Sequence, residues 1–441
     1  MLKRTTFSLF LILVSVFSFS QGSFNLMNTN KDKIHFRLIN NLIVIPVEVN
    51  GVKLSFLLDS GVSKPILFNI INLSDSLQIN HLETVYLRGL GAEGTIEALK
   101  SKGNILKIGK AINVNQEVYV VFDEGINFTP RLGIPIHGII GYDVFKDFIV
   151  EINYSSKSMK LHKPSAYRYR KCKKCRTFEL TLSHNKPYID GMVEIDSVPI
   201  PVKLLIDSGG SDALWLFEDD EKGIMPIGDK YFEDYLGKGL SGSVYGKRSK
   251  IKSFSLQDFK FEDVNVAFPD SSSISIARKF KDRSGSISGE LLRRFNIIFD
   301  YGNGKVTFKK NSNFKAPFHY NKSGIVLEQN GIRLVKEVND RFFYNKDENT
   351  SGADRIVVQT SYKLAVKPAF TVVELRKGSP AEKAGVLLGD IILTVNNKDT
   401  ANLKMQDITD MFSKEDGKLI RIRLERKGKV LNYEFRLEKL F

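Results

Sequence analysis

Two stretches of the chain carry residues suited to acid–base chemistry. Residues 57–61 read Leu-Leu-Asp-Ser-Gly, and residues 205–209 read Leu-Ile-Asp-Ser-Gly. A single Asp-Ser-Gly is a common turn sequence and by itself indicates only a strand that ends in a turn. The repeat changes this interpretation, because both copies follow a hairpin-like run of β-favouring residues. In the first copy, Asn50-Gly51 is a strong signal for a two-residue turn.

Other residues keep the same spacing from the two aspartates. The glycines 30, 32 and 35 positions after each Asp are Gly89, Gly91 and Gly94 in the first copy and Gly237, Gly239 and Gly242 in the second. Ile-Ile-Gly at 139–141 and Ile-Ser-Gly at 287–289 also end at one shared offset. The sequence therefore predicts an internal duplication with a period of 148 residues, which is the length of a domain and too long for a solenoid repeat.

Facing lobes would bring Asp59 and Asp207 together at the ends of two apolar strands. Two carboxylates at short distance cannot both ionise, so we expect the pair to share one proton. One Asp then acts as a general base that activates a water, and the other acts as a general acid toward a carbonyl oxygen. We expect the Ser60 and Ser208 hydroxyls to hydrogen-bond across the lobes.

The duplicated pattern resembles the aspartic proteases of the pepsin and retropepsin type over residues 34–312. In that family an apolar-apolar-Asp-Ser/Thr-Gly turn is followed by an apolar-apolar-Gly strand, and the fit is closer to the short retropepsin lobes. The resemblance implies a catalytic dyad of Asp59 and Asp207, and glycine-rich flaps at residues 87–100 and 236–248. It also implies support of the dyad by Ser60, Gly61, Ser208 and Gly209, and flap positions for Gly89, Gly91, Gly239, Gly242 and Tyr245, with Tyr86 as the other flap tyrosine candidate.

Length and composition indicate the number of domains and argue against several other kinds of functional site. The 441 residues suggest about three domains. The formal net charge is +15, but the basic residues are dispersed and form no nucleic-acid module, so we expect no nucleic-acid partner. The six histidines are scattered without a His-Glu-x-x-His pattern, no Gly-x-Ser-x-Gly elbow occurs, and we predict no metal and no cofactor.

A basic linker at residues 166–176 contains the two cysteines of the chain, Cys172 and Cys175. A zinc site needs about four ligands, and no second pair completes one. A redox Cys-x-x-Cys normally opens a helix of a thioredoxin-like unit, which is absent here. A local disulfide or two idle thiols are the remaining interpretations.

The first 20 residues have the pattern of a signal peptide. Lys3 and Arg4 precede an apolar run at 7–17 that is too short to span a bilayer, and small residues precede Gln21. No later stretch is long enough for a membrane helix, so we expect an exported, soluble protein in the periplasm or outside the cell. Residues 22–33 are interpreted as a short propeptide or a flexible start.

The C-terminal part, residues 321–441 with a core at 370–441, resembles the PDZ domains of bacterial envelope proteases. The motifs that carry this resemblance are a strand at 370–375, a Gly-Ser-Pro helical turn at 378–385, Leu-Gly-Asp and a strand at 388–396, a helix at 403–412 and closing strands at 420–424 and 431–437. Residues 341–354 are interpreted as a polar inserted loop. The resemblance implies a peptide groove with Gly324, Ile325, Val326 and Leu327 as candidates, and a C-terminal peptide as its ligand.

The sequence thus predicts a mainly β protein. It has two acid-protease β-barrel lobes, at 34–165 and 177–312, followed by a small α+β PDZ domain. The predicted function is that of an exported aspartic endopeptidase that acts on polypeptides, and one chain supplies both aspartates, so we expect a monomer. The alternatives are a non-enzymatic partner-binding envelope protein with degenerate lobes, and a glycan-binding protein with a basic surface.

Overall fold

The computed structural model describes residues 22–440 except 71–72, 74–75, 124 and 346–354. The predicted signal peptide at residues 1–20 lies outside this range. The described chain is mainly β, as the sequence predicts, with short helices between the strands. None of the helices in the described part is long and apolar enough to cross a membrane.

The first half of the duplication forms a mixed sheet. The elements up to residue 162 are β1 (Asn25–Leu26), β2 (Lys31–His35), β3 (Arg37–Ile39), β4 (Leu42–Val49), β5 (Val52–Leu58), β6 (Ile66–Leu67), β7 (Glu83–Leu87), β8 (Ile96–Ile108), β9 (Ala111–Val120), α1 (Thr129–Leu132), β10 (Gly138–Ile140), α2 (Tyr142–Phe145), β11 (Ile149–Asn153) and β12 (Ser158–His162). The sheet order is β1-β9-β6-β10-β5-β4-β8-β7, with β3 beside β4. Asn50 and Gly51 have φ of 49° and 89°, the backbone of the two-residue hairpin turn that their types predict.

The second half repeats this topology. Its elements are β13 (Cys175–Glu179), β14 (Thr181–Ser183), β15 (Lys186–Glu194), β16 (Pro199–Ile206), β17 (Leu214–Leu216), β18 (Tyr231–Gly239), β19 (Gly242–Leu256), β20 (Phe259–Pro269), β21 (Arg283–Ile287), α3 (Gly289–Leu292), β22 (Phe295–Asp300) and β23 (Lys305–Lys310). The order β14-β15-β16-β21-β17-β20-β19-β18 contains the same central motif, in which an Asp-bearing strand lies parallel to the strand that ends in Gly. The duplicated sequence therefore folds as two related lobes.

Strands from both lobes form one further sheet, in the order β13-β23-β22-β11-β12-β2. At its centre β11 pairs antiparallel with β22, with Val150 opposite Phe299 and Glu151 opposite Ile298. Under the 148-residue period, β22 is the counterpart of β11. The lobes are thus joined through equivalent strands, and phenylalanines from both lobes, Phe145 and Phe299, stack edge to face at 5.0 Å beneath this sheet.

Residues 22–33 are part of the fold, so their interpretation as a flexible start is wrong. β1 pairs with β9, and β2 pairs with β12. Phe24 and Leu26 are each 2% exposed and lie in the core of the first lobe, because an apolar side chain gains about 25 cal/mol for each Å² removed from water. In the linker, Cys172 and Cys175 form a disulfide, which selects the first of the two interpretations.

The C-terminal region is built on a separate sheet and core. Its elements are β24 (Ile325–Asn345), β25 (Arg355–Leu375), α4 (Pro380–Lys383), β26 (Ile391–Val395), β27 (Lys398–Asp399), α5 (Met405–Met411), β28 (Leu419–Arg426) and β29 (Lys429–Arg436). The strand order is β24-β25-β26-β28-β29, which leaves β24 at an edge of the described sheet. The prediction of an inserted loop at 341–354 is wrong for residues 341–345, which extend β24 in pairing with β25, and residues 346–354 lie outside the described residues.

Candidate active site

Asp59 and Asp207 lie at equivalent places, one residue beyond β5 and β16. Each backbone N–H continues the parallel pairing of its strand. Asp59 donates to the carbonyl oxygen of Ile140 at 2.8 Å, and Asp207 donates to that of Ile287 at 2.9 Å. The two apolar-apolar-Gly segments therefore fix the backbone of the aspartates from behind.

Each Asp-Ser-Gly turn closes on its own carboxylate. The Gly61 N–H donates to Oδ1 of Asp59 at 2.7 Å, and the Gly209 N–H donates to Oδ1 of Asp207 at 3.0 Å. A backbone N–H bound to a carboxylate orients it and favours its ionised form. One oxygen of each carboxyl is thus held by the turn, while Oδ2 is left for other partners.

The serines between aspartate and glycine join the two turns. The Ser60 N–H donates to Oγ of Ser208, and the Ser208 N–H donates to Oγ of Ser60, both at 3.0 Å. The two hydroxyls donate onward to the carbonyl oxygens of Ile206 at 2.6 Å and Leu58 at 2.8 Å. Both serines are at most 1% exposed. Because buried hydrogen bonds are costly to break, this reciprocal set fixes one lobe against the other at the aspartates.

The structure brings the two carboxyl groups together. The position that a Cβ on Gly61 would occupy lies 3.1 Å from Oδ1 of Asp59 and 3.4 Å from Oδ1 of Asp207, so both carboxyl groups border the same small space. Burial raises the pKa of Asp59 from 3.8 to about 7, and the negative charge of Asp207 contributes in the same direction. The Gly61 N–H and the charge of Lys186 oppose this rise. Burial and the closeness of the second carboxylate therefore both favour the protonated form of Asp59.

Glycine is required where the two turns approach each other. A Cβ atom built on Gly209 would overlap the carboxyl group of Asp59, and one on Gly141 would overlap the backbone oxygen of Asp59. A Cβ on Gly61 would lie 3.1 Å from Oδ1 of Asp59 and 3.4 Å from Oδ1 of Asp207. The glycines of the motif therefore make room for the opposing carboxyl.

Two basic residues near the aspartates were not found by sequence reasoning. The pairing of Tyr188 with Leu205 places Lys186 across from Asp207 when the register is extended by two residues. Arg283 is 8% exposed, and its Nε donates to the carbonyl oxygen of Gly285 at 3.0 Å. Both cations interact electrostatically with Asp207. The sequence shows a lysine at the start of the strand that precedes the Asp207 strand. Its closeness to Asp207 follows only from the register in which the two strands pair.

The two glycine-rich hairpins meet at their tips. Residues 88–95 connect β7 to β8, and residues 240–241 connect β18 to β19. The Ser241 N–H donates to the carbonyl oxygen of Leu90 at 2.9 Å, and the Glu93 N–H donates to that of Ser241 at 3.0 Å. The Gly89 N–H donates to Oγ of Ser241 at 3.0 Å. The hairpins, called the first and second flap below, thus form a joined pair.

The predicted flap glycines lie at this junction, and the tyrosines lie apart from it. A Cβ on Gly91 would overlap Ser241, and one on Gly239 would overlap Leu90. One on Gly242 would overlap the Glu93 carboxylate, and Gly89 faces Leu240. Tyr86 and Tyr245 are 69% and 49% exposed. The ring of Tyr245 packs edge to face on that of Tyr235 at 5.6 Å within the second flap.

The groove candidates of the C-terminal region lie at the start of β24. Ile325 and Leu327 are 0% and 3% exposed and belong to the core of that region. Gly324 precedes them with φ of 84°, and Val326 is half-buried. Of this set, only Val326 is placed to contribute to a surface, because Gly324 is itself buried against Ser379.

Comparison with known families agrees with this architecture. Residues 45–144 match the family model described as aspartyl protease, and residues 371–426 match the model of the PDZ domain. No curated protein matches the chain significantly. The matched segments contain Asp59 of the first lobe, and α5 with its neighbouring strands in the C-terminal region.

Proposed function

We propose that this chain, which contains an aspartyl protease domain and a PDZ domain, is an endopeptidase that hydrolyses polypeptides with the pair Asp59 and Asp207. One observation carries the proposal. Two carboxyl groups from related turns meet at the junction of the lobes, since a Cβ on Gly209 would overlap the carboxyl group of Asp59 and one on Gly61 would lie within 3.4 Å of an oxygen of each aspartate. Like-charged groups are brought together at a functional site far more often than for stability, because their repulsion opposes folding.

The proposed mechanism assigns one proton to the pair. A water held between the carboxyls loses a proton to the ionised carboxylate and attacks the peptide carbonyl carbon, while the protonated carboxyl donates to the carbonyl oxygen. The tetrahedral intermediate then collapses as the leaving nitrogen takes the proton that the base received from the water, while the other carboxylate takes a proton from the hydroxyl that re-forms the carbonyl, which restores the starting pair. The raised pKa of Asp59 supports this residue as the proton donor and Asp207 as the base.

Substrate binding is proposed to involve the flaps. Hairpin edges bind extended peptides by backbone hydrogen bonds, and both flaps extend from the sheets that carry the aspartates. The tip contacts between Leu90 and Ser241 must open for a polypeptide to enter, since both hairpins belong to one closed pair. Closure over the bound peptide would then exclude water from the reacting groups.

We further propose that the protein acts after export and as a monomer. The signal-like residues 1–20 support export. A single chain contributes both aspartates, so assembly of the pair needs no second copy.

The direct test is turnover of an unfolded protein substrate between mildly acidic and neutral pH. We expect cleavage that is inhibited by a statine-containing peptide, because statine carries a hydroxyl that mimics the tetrahedral intermediate. Absence of cleavage throughout this range would contradict the proposal and favour the partner-binding alternative. Mapping the new N-termini released from a protein mixture would then define specificity.

Activity should fall as the pH rises through about 7. The pKa of Asp59 is raised to about 7, so above this pH the shared proton is lost and neither carboxyl remains a donor. The free energy of unfolding should also fall as the pH rises. Because the folded pKa exceeds the ordinary 3.8, the contribution of this proton is complete below pH 4 and is lost toward pH 7. Measurement of kcat/KM and of the free energy of unfolding across this range checks both.

Replacing Lys186 should move the alkaline limb of the pH profile to higher pH. The positive charge of Lys186 lowers the pKa of Asp59, so Lys186→Met removes this effect and shifts the limb by up to about one unit. Lys203→Met is a matched control, because Lys203 lies in the neighbouring strand and pairs with Asp190 at 2.8 Å. An unchanged limb in Lys186→Met would exclude Lys186 from the electrostatics of the pair.

A further inference from the structure

The edge of the PDZ sheet forms a groove with helix α5. β24 lies at an edge of the described sheet, and Met405 and Ile408 of α5 share a core with Ile325 and Leu327 of β24. A strand edge beside a helix can accept an extended peptide as an added strand, with side chains in the space between them. We refer to the space between residues 325–329 and α5 as the PDZ groove.

One end of the PDZ groove is covered by the first protease lobe. A Cβ built on Gly133, at the end of α1, would lie 3.4 Å from Oε1 of Gln329 and 3.8 Å from Cβ of Met405. These two residues belong to opposite walls of the groove. The Asn40 N–H of the same lobe donates to Oε1 of Gln406 at 3.0 Å. The segment 129–134 is therefore an internal occupant of this site.

Arg131 makes the strongest contacts of this segment. Its Nε lies 2.8 Å from Oε1 of Glu328 in β24, and its Nη2 lies 2.9 Å from Oε1 of Glu374 in β25. The three side chains are only 20–24% exposed. The charge of each glutamate therefore depends on the guanidinium to compensate for the solvation that it loses by burial. Burial raises the pKa of Glu374, and Arg131 opposes this. The edge of the sheet beside the PDZ groove thus presents two acidic groups that require a cation, and the register places Glu374 across from Val326, on the face away from the buried Ile325 and Leu327.

The other end of the groove is not arranged to bind a terminal carboxylate. The N–H groups of Ser323 and Gly324 donate to Oδ1 of Asn321 at 3.0 and 3.3 Å. The Ile325 N–H donates to Oγ of Ser323 at 3.0 Å. Capture of a C-terminus needs free backbone N–H groups at this loop, and these three already have acceptors. The expectation of a C-terminal peptide ligand therefore has no support from the loop.

We propose that the PDZ groove binds an extended peptide segment that carries an arginine or lysine, and that this peptide exchanges with the segment 129–134. The incoming cation takes the place of Arg131 between Glu328 and Glu374, and the peptide backbone extends along β24. Recognition depends on an internal basic residue and not on a free carboxylate. This interaction does not depend on hydrolysis by the aspartate pair.

The exchange would also affect the second flap. The guanidinium of Arg131 lies 4.0 Å from the ring centroid of Tyr235 in β18, and Tyr235 packs on Tyr245 of the same flap. A cation–π contact of this kind attracts the guanidinium to the face of the ring. When a peptide takes the glutamates, Arg131 is released from the PDZ domain and the second flap loses this restraint.

Binding of the chain's own segment in trans tests the proposal. The probe is a fluorescent peptide of residues 127–136 with blocked ends, and the full chain carries Asp59→Asn so that the probe is not hydrolysed. Arg131→Gln in the protein should strengthen binding about ten-fold or more, because an intramolecular competitor is removed. Replacing the arginine of the probe by glutamine, or Glu328 and Glu374 by glutamine, should weaken binding by a similar factor.

The matched control is Arg176→Gln. It breaks a surface ion pair between Arg176 of β13 and Asp258 in the turn before β20, and it should leave binding of the probe unchanged. Arg131→Lys retains the charge and should give intermediate affinity, so that one poorly folded variant would not decide the outcome. Equal affinity of the wild type and Arg131→Gln would overturn the exchange. Equal binding of the arginine and glutamine probes, or tighter binding of a probe with a free C-terminal carboxylate, would overturn the assigned ligand class.

Discussion

Asp59→Asn and Asp207→Asn are each expected to reduce peptide hydrolysis by at least the 10²–10⁴-fold typical of losing a positioned acid or base. An amide matches the carboxyl in shape but can neither accept the proton of the attacking water nor donate one to the carbonyl oxygen. Because Asp59 is held by burial and by Gly61, we expect each variant to remain folded. Initial rates on a fluorogenic peptide, with circular dichroism of both variants, measure this effect.

Asp190→Asn provides the control for this pair of variants. Asp190 lies in β15 of the second lobe with its side chain 77% exposed, and it pairs with Lys203. We expect activity close to the wild type. Wild-type activity in Asp59→Asn or Asp207→Asn would refute the assignment of the pair, whatever the control shows.

Gly209→Ala is expected to lower kcat/KM by about 10²-fold or more. The new methyl group would overlap the carboxyl group of Asp59, so either the carboxyl or the turn must move. A displacement of about 1 Å at a reacting group can cost this factor. The same overlap crosses the junction of the lobes, and we expect thermal unfolding to occur at a lower temperature.

Substitutions at two other glycines provide comparisons for this prediction, because a new Cβ would have more space at each of them. At Gly61 the nearest atom to a new Cβ would be Oδ1 of Asp59 at 3.1 Å, so Gly61→Ala should have a smaller effect. At Gly302 the nearest atom is 3.9 Å away, and Gly302→Ala should retain activity. Unchanged kcat/KM in Gly209→Ala would mean that the two turns do not approach as closely in solution.

The positions of the aspartates could be predicted because local and periodic signals coincide. Asp59 and Asp207 stand in identical short motifs, and the glycines of both flaps keep the same offsets. The conformation of each motif depends on the backbone of only a few residues. The types of those residues are enough to predict it. The duplication then implies that two equal lobes present equal turns, so proximity of the carboxyls follows from symmetry.

Contacts between distant segments could not be predicted in this way. Lys186 acquires its place near Asp207 only through the register of β15 with β16. Arg131 joins a short helix of the first lobe to β24 and β25, more than 190 residues later in the chain. No local pattern of residue types specifies such a pair, because it depends on how separately formed sheets pack.

The long hairpin of β24 and β25 shows a different limit. Residues 341–354 are interpreted from the sequence as a polar loop, yet this segment contains Phe342, Phe343 and Tyr344, and residues 341–345 continue β24. A strand is easily recognised when one face is buried and polarity alternates. Along this hairpin Ile332, Leu334 and Leu364 are 70–75% exposed. Apolar side chains are therefore not confined to a buried face, and the alternation that identifies a strand is lost.

The pairing of β11 with β22 has a consequence for how such a chain could have arisen. The pairing is symmetric under the 148-residue period, since Val150 faces the counterpart of Glu151 and Glu151 faces the counterpart of Val150, and it is therefore palindromic. A polypeptide that consisted of one half alone would carry a self-complementary edge and could associate with an identical copy by the same hydrogen bonds. Fusion of two such genes would convert an association that depends on concentration into a permanent one and would free each half to diverge.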